Sequence, residues 1–124
     1  MTHTRRCMPI TLTSDDGTRF WLLDKKLHRE GGPAVMRPDG EEVWYLHGER
    51  HRVGGPAVST PNGVERWYQH DQLHREDGPA MIWSDGEQRW YLQGNYYDSF
   101  EKWLAALDPD DKTRTWLLLK WGNR

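Results

Sequence analysis

Cysteine is almost missing from this chain. Cys7 is the only one in 124 residues, so no internal disulfide can form and a reducing compartment is expected. Long apolar runs are missing too. No segment approaches the roughly 20 apolar residues that span a bilayer. The first fourteen residues hold Arg5 and Arg6 but no apolar stretch of signal-peptide length. The sequence therefore predicts a cytoplasmic protein with no membrane association. Neither sign of charge is in excess: 17 Lys and Arg stand against 19 Asp and Glu, a net charge of −2. That balance gives no broad attraction to nucleic acid or to an anionic membrane. Only 35% of the residues are hydrophobic, which would suggest disorder if aromatics were scarce. They are not. Eight Trp and five Tyr supply the large burial per residue that disordered chains lack, and the length suits one domain.

Catalytic signatures are absent as well. There is no phosphate-binding loop, no dinucleotide fingerprint and no serine elbow. Cys7 has no activating neighbour beyond Arg5 and Arg6. The carboxylate pairs Asp15-Asp16 and Glu41-Glu42 flank turns, where such residues form turns or aid solubility. No enzyme activity, cofactor or metal is expected.

What the chain does have is repetition. Asp16-Gly17, Asp39-Gly40, Asn62-Gly63 and Asp85-Gly86 are each 23 residues from the last. Trp21, Trp44, Trp67 and Trp90 recur at one offset from these glycines. Tyr45, Tyr68 and Tyr91 follow the last three, and Leu22 stands in the first copy. His28-Arg29, His51-Arg52 and His74-Arg75 come next, then Gly-Pro-Ala at 32–34, 55–57 and 78–80. Asp-Gly and Asn-Gly signal type I′ hairpins, and the aromatic and β-branched residues around them read as strands. Pro33, Pro56 and Pro79 lack an N–H and belong at strand starts. Each unit is thus a hairpin followed by a polar connector, and residues 8–14 read as a partial copy donating a first strand. Side chains alternate along a strand, placing the Trp column with Leu23, Leu46, Gln69 and Leu92. The Tyr column falls with Phe20, Val43, Arg66 and Arg89. The Trp-Leu face is the more apolar and is the expected core; the Tyr-Arg face is expected to meet solvent.

The pattern stops after Gly94. Asp98, with Glu101 three positions on, reads as a capping box opening a helix to about Leu107. Asp108-Pro109 restarts a second helix, with proline at its first position and Asp110 and Asp111 near the positive end of its dipole. It runs to about Trp121. The expected fold is mainly β: an antiparallel meander of hairpin repeats over residues 1–97, with a two-helix cap over 98–124 in the same domain. The cap is placed to cover the last edge or one open face of the sheet.

The segment 73–80, with Asp85-Gly86 and residues 90–94, resembles the MORN-repeat variant family of tandem β-hairpins over about residues 16 to 94. Asp71 departs from the pattern where Gly48 and Gly94 stand, and Tyr97 departs where the repeat has histidine. The resemblance implies a protein-interaction or scaffolding role. A short variant with an aromatic helical tail is similar to small bacteriophage accessory proteins, which implies a partner in a host defence or nuclease complex and inhibition by occupying it.

Three surfaces compete for a role. The His-Arg pairs could line up as an imidazole row, but metal ligands must converge within about 2 Å of an ion while ladder positions diverge along the sheet. Hydrogen bonding to loop carbonyls or to Glu30 and Asp77 is the plainer expectation. Arg66 and Arg89 beside the Tyr face could stack bases, though the net charge opposes this. Trp103, Trp116 and Trp121 suit packing on the sheet, and Trp116 and Trp121 become partner anchors if exposed. The partner-binding candidates are therefore Tyr45, Tyr68, Tyr91, Arg66, Arg89, His51, Arg52, His74, Arg75, Trp116 and Trp121. A non-catalytic protein-binding module is the leading expectation. A nucleotide or nucleic-acid binder is the second, and a self-assembling structural repeat, with homodimers as its simplest form, is the third.

Overall fold

A computed structural model describes residues 8–122; Cys7, Arg5 and Arg6 lie outside them. The described part is an antiparallel strand meander ending in two helices. The first strands are β1 (Ile10–Thr13), β2 (Arg19–Leu23), β3 (Lys26–Leu27) and β4 (Val35–Met36). The next two copies supply β5 (Glu42–Val43), β6 (Tyr45–Leu46), β7 (Glu49–Arg50) and β8 (Val58–Ser59), then β9 (Glu65–Arg66), β10 (Tyr68–Gln69), β11 (Gln72–Leu73) and β12 (Met81–Ile82). The last are β13 (Gln88–Leu92) and β14 (Asn95–Tyr97), followed by α1 (Phe100–Leu107) and α2 (Asp111–Trp121). The main sheet runs β1-β2-β4-β5-β8-β9-β12-β13-β14, with β3 beside β2, while β6-β7 and β10-β11 form separate two-stranded ladders.

Each repeat holds two hairpins, and the sequence expectation for them needs correction. The Asp-Gly turns are not type I′. Gly40 donates to the Arg37 carbonyl at 3.0 Å, and Gly40 has φ of 97° while Asp39 is not among the positive-φ residues. This is the three-residue form in which a glycine in the left-handed region completes the loop. The Asp39 carboxylate instead accepts the Glu41 N–H at 2.9 Å, an Asx turn that suits aspartate without positive φ. The paired positive-φ residues lie at the other hairpin, at Asp24-Lys25, His47-Gly48, His70-Asp71 and Gln93-Gly94. Asp71, the apparent departure, keeps the left-handed conformation at φ of 66°, and its carboxylate accepts from Arg50 Nε at 2.5 Å.

The face assignment also reverses in the first three copies. Cross-strand register sets Phe20 opposite Val35, Val35 opposite Val43, Val43 opposite Val58 and Val58 opposite Arg66. Residues directly opposite share a face, so this row carries the Tyr column with it. The buried cluster is Val35, Val43, Ala57, Val58 and Tyr68, with Phe20, Leu27, Trp44, Tyr45 and Leu73 packed against it, so of the tryptophan column only Trp44 reaches this core. Trp21, Trp44 and Trp67 are only half-buried. The columns along the tryptophan strands hid this, because the intervening strands β4 and β8 contribute their valines to the Tyr side.

The cap does cover the tryptophan face of the fourth copy. Trp90 packs with Trp103, Leu104 and Leu117 in a second cluster, joined by Leu92, Tyr97, Phe100, Leu107 and Trp121. Trp103 and Leu117 are completely buried. The N-cap of α1 is Ser99, whose hydroxyl accepts the Lys102 N–H at 3.1 Å. Asp98 instead pairs with Lys102 Nζ at 3.0 Å, so the expected capping box does not form. For α2 the cap is Asp110, accepting the Thr113 N–H at 2.8 Å. Pro109 therefore precedes the cap and is not the first helical residue.

Candidate binding surface: a row of tryptophan clefts

The connectors decide what the tryptophan face can do. Each arginine folds back over the tryptophan of its own copy: the Arg29, Arg52 and Arg75 ζ-carbons lie 4.0, 3.8 and 3.8 Å from the ring centres of Trp21, Trp44 and Trp67. Each Nη1 donates to the proline carbonyl four residues on, at 3.1, 3.1 and 3.0 Å. The glycine before that proline makes room. A Cβ at Gly55 would lie 2.7 Å from the Arg52 ζ-carbon, and Gly32 and Gly78 stand equally close to Arg29 and Arg75. The stacked cation supplies carbon contact and charge–quadrupole attraction together.

The histidines join one copy to the next. Nδ1 of His28, His51 and His74 accepts the backbone N–H of His47, His70 and Gln93, at 2.9, 3.0 and 2.9 Å. An accepting Nδ1 puts the proton of the neutral ring on Nε2. The rings of His28 and His47, and of His51 and His70, lie 4.4 and 4.5 Å apart. Burial holds the His51 pKa below its usual value, His70 lowers it further, and Glu49 acts in the opposite sense. The imidazoles thus form no convergent ligand set; among the described residues no cluster of three or more His, Cys, Asp or Glu is placed to hold a metal ion.

Between successive connectors lie equivalent clefts. The first is lined by Pro9, Trp21, Leu23 and Glu30. The second, of about 250 Å³, has Trp44 and Leu46 in its lining, with Glu30 and Gly31 from one connector and Arg52 and Val53 from the next. The third has Trp67 with Gln69, Glu76 and Asp77. In the fourth copy the chain's own helices cover the tryptophan: Trp90 falls to 7% exposed, and Leu107 borders the cleft that remains beside Leu92. The copies are not equal. Position 53 is valine, 77% exposed, where the flanking copies have Glu30 and Glu76. In the third copy Asp77 pairs with Arg75 at 2.7 Å and Glu76 with His74 at 2.9 Å.

Four of the predicted site residues reach the clefts and the others are dispersed. His51, Arg52, His74 and Arg75 hold the connectors together and also line the clefts, the first two the second cleft and the last two the third. Tyr68 is buried beneath the Arg50 guanidinium at 4.1 Å, and Tyr45 packs on the same core. Tyr91 meets Tyr96 at 5.4 Å. Arg89 pairs with Glu87, and Arg66 keeps a buried Nε without a hydrogen-bond partner. Trp121 donates to the Asp77 carbonyl at 3.0 Å and packs edge-on to Trp90 at 5.8 Å. Trp116 is 46% exposed. Leu23, Leu46 and Val53 were missed as candidates; Val53 had a readable signal, an apolar residue in a column otherwise acidic. Comparison with protein-family models, curated proteins and solved structures gave no match.

Proposed function

We propose that this chain is a non-catalytic protein-binding module whose docking surface is the row of tryptophan clefts. The observation that carries this reading is the inequality of four equivalent positions. The fourth tryptophan is covered by the chain's own helices, while the first three are left half-exposed between rigid connectors. Apolar floors framed by polar walls are what protein partners use. The histidines and arginines nearest the clefts are engaged in holding the backbone, which favours a binding role over a catalytic one. In the phage setting that the family resemblance implies, the partner would be a subunit of a host defence complex, inhibited by occupation in the cytoplasm.

A photoreactive phenylalanine analogue placed at position 53 should form a covalent adduct with another protein when the chain is expressed in its host. The same analogue at position 62, in a turn away from the clefts, should form none. Equal adducts at both positions, or none at 53, would remove the proposal.

A further inference from the structure

We infer that the first and second clefts together receive an acidic amphipathic helix of a partner protein. This deepens the binding-module reading and rests on it. The chain itself shows what the tryptophan face accepts. On the fourth copy sits α1, which presents Phe100, Trp103, Leu104 and Leu107, apolar positions at i, i+3, i+4 and i+7, to Trp90 and Leu92. The open clefts continue that seated interface along the same face. Successive tryptophan strands are separated by one intervening strand, so equivalent clefts lie about 9.6 Å apart. A helix rises about 1.5 Å per residue, and the same-face spacing nearest that distance is seven residues. Leu23 and Leu46 offer apolar floors at this interval, whereas Gln69 interrupts the third.

Charge selects the occupant. Among the described residues neither Arg29 nor Arg52 is paired with a carboxylate, while Arg75 is held by Asp77. Val53 stands where the neighbouring connectors place glutamate, so the second cleft has an apolar lip and two guanidinium groups, Arg29 and Arg52, against the single carboxylate of Glu30, an excess of one positive charge. A partner carboxylate answers that excess positive charge. A second copy of this chain fits less well. Its exposed helix face carries Leu119, but Lys112 and Lys120 flank it, bringing cations to Arg29 and Arg52.

The test uses the full chain and labelled helical peptides with two leucines seven apart and glutamates at the flanking positions. Binding should be saturable by fluorescence anisotropy. It should weaken about tenfold or more when the leucines are moved to a spacing of five or the glutamates become lysine. Val53→Glu should weaken it similarly without lowering Tm, since the repeat carries glutamate there already, and Val53→Ile should preserve it. No saturable binding, or binding indifferent to spacing, charge or Val53→Glu, overturns the inference. A dimer seen by sedimentation and abolished by Val53→Glu makes a second copy the occupant and overturns it too. Peptide failure alongside a protein adduct at position 53 leaves the binding-module reading standing and removes only the helix.

Discussion

Histidine and arginine stand side by side in three copies, and their neighbours give them different work. The arginine turns inward over its own tryptophan, and the histidine reaches the next copy's backbone. Gly55 is where this local packing can be tested, because its Cβ position is taken by the Arg52 guanidinium. Gly55→Ala should cost about 1–2 kcal/mol by displacing the cation from Trp44 and from the Pro56 carbonyl. In an Arg52→Ala background the same change should cost little. A double-mutant cycle on denaturant unfolding checks this; additive costs would mean that the glycine serves some other purpose. Gly-Pro in the repeat was readable as a strand entrance, but its relation to an arginine three residues earlier was not. It depends on a contact made through space.

The hairpins and helices show how local chemistry can be right about an element and wrong about its detail. Asp-Gly was correct as a turn signal, yet the aspartates act through their side chains and the type I′ geometry falls on His-Gly, His-Asp, Asp-Lys and Gln-Gly pairs. The first helix begins within a residue of its expected start, with the cap moved from Asp98 to Ser99. Ser99→Ala should therefore lower stability by about 1 kcal/mol. Asp98→Ala removes only an exposed pair with Lys102 and should cost much less. Thermal unfolding of the two variants separates them, and the reverse order would restore Asp98 as the cap. Both residues are good caps, and only the backbone conformation at Ser99 decides between them.

Across the whole molecule the copies are joined in series by imidazole acceptors, and the joint at His51 is sensitive to acid. Protonated histidine has no acceptor at Nδ1, so each inter-repeat hydrogen bond is lost when its ring charges. The direction follows from His51, whose folded pKa is depressed by burial and by His70. Below about pH 6.5, the ordinary histidine value, the unfolded chain binds the proton more readily than the folded one, so stability falls as pH falls. Tm measured from pH 8 to 5 should decline below about 6.5, and His51→Gln should shallow that decline. An unchanged slope would show that this staple contributes nothing to the pH response. The same serial construction explains why a short helical cap matters: the last tryptophan has no following connector, and α1 and α2 supply its cover.

The sequence by itself determined the period, the strands, the proline entrances, the helical tail and, among the described residues, the absence of a membrane-spanning helix, because each rests on neighbours in the chain. The tertiary structure decided which face is core. Val35 and Val58 come from strands between the tryptophan strands and carry the Tyr side inward, a sum over copies that no single strand pattern contains. It also decided that three tryptophans stay half-exposed at their clefts and the fourth is covered. Val53 was visible as an odd letter in a column, but its place on the lip of a cleft facing Glu30 and Gly31 exists only once two connectors are brought together.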